Sequence, residues 1–171
     1  MSTNYVITNG KIYTEKQVIE NGYLVVEDGK ISDIQQGTYT GKLEQVDVKG
    51  QNVLPGFIDI HIHGGYGEDA MDASYDGLKH LAEQLLSEGT TTFLATTMTQ
   101  SDANIEKALK NIVAYQADQQ RGEAAEVGGV HLEGPFISEH KVGAQNPKYV
   151  QRPSASKIQH FQEVANQQIK I

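Results

Sequence analysis

The chain has 171 residues, enough for one ordinary domain with a real core. Its 14 Lys and Arg against 22 Asp and Glu leave a net charge of -8, which argues against a nucleic-acid partner and against binding an anionic membrane surface. No cysteine is present, which excludes disulfides and thiolate metal sites.

Met1 is followed by Ser2-Thr3-Asn4-Tyr5, with neither a basic n-region nor an apolar h-region. That start predicts no signal peptide, and the expected location is cytoplasmic. Residues 1–55 read as an N-terminal β segment. Tyr5-Val-Ile-Thr leads into Asn9-Gly10, a hairpin turn signal, and Lys11-Ile-Tyr-Thr follows. A second hairpin is expected where Tyr23-Leu-Val-Val-Glu meets Asp28-Gly29 and Lys30-Ile-Ser-Asp-Ile. Val46 to Leu54 adds a short strand region. These strands are too few for a strong core alone, so they are expected to form part of a small β-sandwich completed from elsewhere.

From residue 56 to 171 the pattern alternates strand and helix. Leu54-Pro-Gly-Phe-Ile-Asp-Ile-His-Ile-His-Gly reads as a strand running into a glycine turn. Strict alternation puts Asp59, His61 and His63 on one face and packs Ile58, Ile60 and Ile62 on the other. Tyr75 to Glu88 carries a helical apolar stripe with Ser74 as cap, and Gly89 ends it. Thr90 to Thr97 is β-branched and strand-like. Ser101 or Asp102 caps the next helix, whose apolar side holds Ile105, Leu109, Ile112 and Val113. Glu126 to Glu133 is a third strand, about Ser154 to Asn166 a third helix, and Gln168-Ile-Lys-Ile begins a fourth strand. This order predicts parallel strands with right-handed crossovers, the N-terminal part of a metal-dependent (β/α)8 TIM barrel. A whole barrel takes about 250 residues, so the chain is expected to be truncated.

Two imidazoles at i and i+2 near a strand's carboxyl end can reach one metal ion. Glu133, just before Gly134-Pro135 breaks its strand, sits on the same mouth of such a barrel and can converge with His61 and His63. Two imidazoles and a carboxylate suit zinc or ferrous iron better than calcium or magnesium. His131, one pleat deeper, is expected to support the site structurally, and Asp59 to orient a ligand imidazole. His80, His140 and His160 read as packed or surface residues. Lys170 stands at the start of its strand and is not expected to bridge metals. Gly64-Gly-Tyr-Gly lacks the lysine and hydroxyl of a phosphate loop and reads as a turn that clears space.

The Leu54 to Gly64 stretch resembles the first-strand signature of the amidohydrolase superfamily. Gly89-Thr-Thr-Thr-Phe-Leu, His131-Leu-Glu-Gly-Pro-Phe-Ile and Lys141-Val-Gly-Ala-Gln-Asn-Pro resemble the N-acetylglucosamine-6-phosphate deacetylases in particular, over essentially the whole chain. The resemblance implies metal-assisted hydrolysis of N-acetylglucosamine 6-phosphate to glucosamine 6-phosphate and acetate. It implies His61 and His63 as first-metal ligands and Glu133 as the carboxylate ligand, which bridges when two metals bind. It also implies Ala144 and Gln145 as substrate contacts. Commonly such enzymes are homodimers with one or two divalent ions. The general-base aspartate, two further histidine ligands and most phosphate contacts fall beyond Ile171, so the chain by itself is expected to be inactive. The alternatives are another amidohydrolase acting on a cyclic amide or amine, or a non-catalytic metal-binding fragment.

Overall fold

The structure, a computed structural model, describes residues 4–171. The leader reading therefore rests partly on residues 1–3, outside the described residues. The chain divides after Pro55 into two compact units, each with its own core.

The first unit is one mixed sheet. Strand β1 (Tyr5–Tyr13) is central, antiparallel to β2 (Val18–Glu27) and parallel to β4 (Glu44–Asp47) and β5 (Asn52–Val53). Strand β3 (Lys30–Gln36) pairs antiparallel with β2. Burial alternates along β1, as expected for a strand with one covered face, and Ile12, Leu24 and Val26 form the core of the unit. Asp28 and Gly29, at φ 51° and 71°, make the expected β2–β3 hairpin turn.

The expected turn at Asn9-Gly10 is corrected. Residues Tyr5–Tyr13 form one continuous strand, and Asn9 (φ 56°) sits in a bulge between the Ile7–Leu24 and Gly10–Gly22 pairs. The left-handed backbone that makes Asn-Gly a good turn suits a bulge equally well. Partners on both sides hold β1 extended through it, including Gly50, whose amide donates to the Asn9 carbonyl at 2.7 Å. The chain reverses instead at Thr14–Gln17, where the Thr14 amide and hydroxyl both donate to the Gln17 carbonyl.

The second unit carries three parallel strands in the order β10 (Glu126–His131), β9 (Thr90–Thr96), β6 (Phe57–Ile62). Residues 168–171 extend the sheet beyond β10: the Val130 amide donates to Gln168 O and the Lys170 amide to Val130 O, each at 2.9 Å. A small hairpin of β7 (Gly64–Gly65) and β8 (Glu68–Asp69) follows β6. Helices α1 (Tyr75–Leu85), α2 (Asp102–Asp118) and α3 (Ala155–Val164) alternate with the strands. Each is capped by a serine hydroxyl accepting from a first-turn amide: Ser74 from Gly77, Ser101 from Asn104, Ser154 from Lys157. Gly89, at φ 82°, closes the turn after α1.

The core of this unit packs Phe93, Val127 and Val130 from the strands against Leu81, Ile105, Leu109, Ile112 and Phe161 from the helices. Helices α2 and α3 are tied at their edge by polar contacts. Lys157 Nζ donates to Asp102 Oδ2 at 2.6 Å, Gln151 Nε2 donates to Asp102 Oδ1 at 3.0 Å, and His160 Nε2 lies 3.0 Å from Glu106 Oε1. The hydrogen bond from Lys157, then that from Gln151, holds the Asp102 carboxyl below its ordinary range.

The expected isoleucine face is a second correction. Ile62 packs on the core, but Ile58 and Ile60 are 67% and 55% exposed. Among the described residues β6 pairs with β9 alone, so it is an edge strand with its other side open.

Candidate metal centre

Strand β6 does not keep a strict register to its end. Asp59 pairs with Phe93 and Ile62 with Ala95, so three steps on β6 match two on β9. At the slip the Asp59 side chain takes the place of the ladder: its Oδ1 accepts from the His61 amide at 2.9 Å. Asp59 thus holds backbone, which corrects its expected role of orienting an imidazole. A bulge at a strand end re-aims the side chains that follow it.

The two imidazoles converge on one carboxylate oxygen. His63 Nε2 lies 2.9 Å and His61 Nε2 3.1 Å from Glu133 Oε2, and the donor atoms of the three residues all lie within 4.8 Å of one another. Tetrahedral ligands around a zinc ion stand about 3.3 Å apart at ordinary bond lengths, so this donor set needs little adjustment to share a cation. Glu133 lies two residues past the end of β10 rather than on the strand. His61 is exposed, whereas His63 and Glu133 are half-buried, so the site opens outward.

The surroundings fix how the rings are held. His63 Nδ1 lies 3.2 Å from the carbonyl of Thr96, which can only accept, so that nitrogen carries a hydrogen. With Nδ1 as the donor, the lone pair of Nε2 faces the Glu133 oxygen, the arrangement of a ligating imidazole. The Thr96 hydroxyl accepts from the Ile62 amide at 2.9 Å and donates to Leu94 O at 3.1 Å. His131 Nδ1 lies 2.8 Å from Ile60 O, and its ring lies 4.4 Å from that of His61. His131 therefore braces the β6 end, as expected, and stands outside the three-donor cluster.

The remaining sequence candidates are dispersed. Ala144 is exposed and lines a shallow cavity of about 340 Å³ with Asp69, Asp72, Thr99 and Asn146. Gln145 is buried, and its Oε1 accepts from the Thr99 amide at 2.6 Å. His80, His140 and His160 are exposed and belong to other surfaces. Thr96 was not singled out by the sequence. A run of threonines in a strand reads as β propensity, and only the folded sheet brings that hydroxyl under residue 62.

These features have clear relatives. Residues 52–168 match the Amidohydrolase family, and residues 4–53 match the NagA composite domain. The chain belongs to the amidohydrolase family. It is 41% identical over its whole length to N-acetylglucosamine-6-phosphate deacetylase of Bacillus subtilis (strain 168), of which it covers 44%. It is 41% identical over 85% of its length to the Lysinibacillus sphaericus protein of the same name, covering 37% of it. The crystal structure of N-acetylglucosamine-6-phosphate deacetylase from Pasteurella multocida matches 97% of this chain at a TM-score of 0.85 and 30% identity, with 43% of that chain covered. The chain thus spans less than half the length of the curated relatives it matches. Among the described residues, no helix is long and apolar enough to cross a membrane.

Proposed function

We propose that His61, His63 and Glu133 bind a divalent cation, zinc or iron, and that the chain forms the N-terminal part of an enzyme deacetylating N-acetylglucosamine 6-phosphate. The observation that carries this reading is the meeting of three metal-type donors from two strand ends, with His63 backed by a carbonyl. The likeness to deacetylases at 41% identity supports the substrate class.

A cation at such a site activates a water and polarises an amide carbonyl. The chain's own part is to hold the site. His61 and His63 would present neutral imidazole nitrogens to the cation, and Glu133 would supply negative charge. The oxygen of water bonds to the acetyl carbon as the C–N bond breaks, so acetate leaves with that oxygen and the amine takes up the protons water gives. In this reading the general-base aspartate and the remaining ligands come from residues outside this chain, and Ala144 and Gln145 belong to the loop that borders the sugar. Residues 1–55 form part of a composite β domain and residues 56–171 the first part of the barrel. The complete enzyme acts as a homodimer in the cytoplasm, where a charged sugar phosphate is retained because it crosses a membrane poorly.

The test is metal content and zinc titration of the chain and of its Glu133→Ala and His61→Ala variants, together with a substrate panel on the complete protein. Stoichiometric zinc in the parent, its loss in both variants and turnover of the acetylated amino-sugar phosphate are expected. Equal zinc binding by Glu133→Ala overturns the site, and preference for a cyclic amide overturns the substrate.

A further inference from the structure

We infer that Thr96, on the strand between the two whose ends lead into the donors, is the positioning residue of the metal centre. Its hydroxyl pins the residue between the two histidines, and its carbonyl selects the tautomer of His63. This inference rests on the reading of His61, His63 and Glu133 as ligands.

The end of β6 is poorly held by the sheet itself. After Asp59 its register with β9 slips, and among the described residues β9 is its one strand partner. Side chains take over where the ladder is irregular. His131 holds the Ile60 carbonyl, Asp59 the His61 amide and Thr96 the Ile62 amide. Of these, only Thr96 also lies within hydrogen-bond reach of a ring nitrogen of the cluster. Its hydroxyl sits midway between the two histidines along the chain, and its carbonyl is 3.2 Å from His63 Nδ1. The residue is fully buried and its hydroxyl also donates to Leu94 O, so its rotamer is locked from below. A ligating histidine is ordinarily oriented by the partner of its other ring nitrogen. Thr96 supplies that partner for His63 and, through Ile62, sets the spacing from His61.

The neighbouring Thr97 gives an internal control. It is also fully buried, yet its hydroxyl has no hydrogen-bond partner. Replacing either threonine by valine makes the same change of shape and polarity at adjacent core positions. Only at Thr96 does it remove a hydrogen bond to the site, the one the hydroxyl accepts from the Ile62 amide; the Thr96 carbonyl against His63 stays in place.

The experiment is zinc and cobalt titration of the 171-residue chain and of Thr96→Val, Thr96→Ser, Thr97→Val and Glu133→Ala. Thr96→Val keeps the carbonyl and loses the hydroxyl that fixes Ile62 between the two ligands; it is expected to weaken zinc binding by about 10-fold, the lower end of the usual effect of removing a supporting group, and to alter the cobalt absorption bands. Thr96→Ser restores both, and Thr97→Val leaves both as in the parent. Wild-type affinity in Thr96→Val, with Glu133→Ala impaired, overturns the role of Thr96 alone. Equal losses in Thr96→Val and Thr97→Val also overturn it, because core damage then explains the effect. Undiminished binding by Glu133→Ala removes the underlying metal site. A readout on the parent needs no variant to fold: nitrogen-15 spectra of the zinc-loaded chain should show His63 protonated at Nδ1. The opposite tautomer overturns the inference.

Discussion

Gln145 Oε1 accepts a 2.6 Å hydrogen bond from the amide of Thr99, joining the loop after β10 to the turn after β9. Both residues are buried, so the bond is sheltered from water. Truncating Gln145 to alanine leaves a buried amide without this acceptor. The expected loss of stability is about 1–3 kcal/mol, read from urea denaturation. An unchanged midpoint would mean that Gln145 has no part in holding the loop.

Gly134 makes a companion case in the same loop. Its φ is +79°, and a β-carbon there would lie 2.0 Å from Thr99 Oγ1. Both the backbone and the space select glycine. Gly134→Ala is expected to destabilise the chain by more than about 1 kcal/mol, measured by the same method. A variant as stable as the parent contradicts that account.

The α2–α3 tie predicts a defined response to acid. Hydrogen bonds from Lys157 and Gln151 hold the Asp102 carboxyl below its ordinary value of 3.8. A carboxyl depressed on folding takes up its proton later than the unfolded one as pH falls. Its contribution is therefore complete above the ordinary value and is lost as pH drops through the folded value. Both partners are partly exposed, so a double-mutant cycle of Asp102→Asn with Lys157→Met should give about 0.2–1 kcal/mol at neutral pH. A coupling that persists undiminished in strong acid would refute this assignment.

The outer edge of β6 predicts a solubility effect. Ile58 and Ile60 are exposed on a strand with one described neighbour, a combination that favours edge-to-edge association. Ile58→Thr with Ile60→Thr should lower light scattering at high concentration and reduce binding of apolar dyes. Thermodynamic stability should move by no more than about 0.5 kcal/mol per site. Scattering equal to that of the parent would place the sticky surface elsewhere.

Local signals carried most of the architecture. The serine cap at Ser74, the glycine stop at Gly89 and the Asp28-Gly29 turn act within a few residues and stand where the sequence puts them; of Ser101 and Asp102 the serine is the cap, and Ser154 caps the third helix that the sequence starts at about that residue. His61, His63 and Glu133 were legible as a constellation because strand period and chain order bring them to one end of a parallel sheet. Asn9-Gly10 misled because a turn and a bulge use the same backbone, and the choice depends on strands far along the chain. Ile58 and Ile60 misled because alternation reveals a face but not whether anything covers it. Thr96 and the backbone role of Asp59 were invisible for a related reason: each acts through the register slip of β6, which no periodicity encodes.

His61 and Glu133 lie 72 residues apart along the chain and meet only after two helical crossovers have docked. Contacts so distant in sequence are closed against a large loss of chain freedom and come late in folding. Metal capture therefore reports the assembly of both βα units at once. A weakened α1 or α2, far from any ligand, should surface first as a protein that loads zinc slowly.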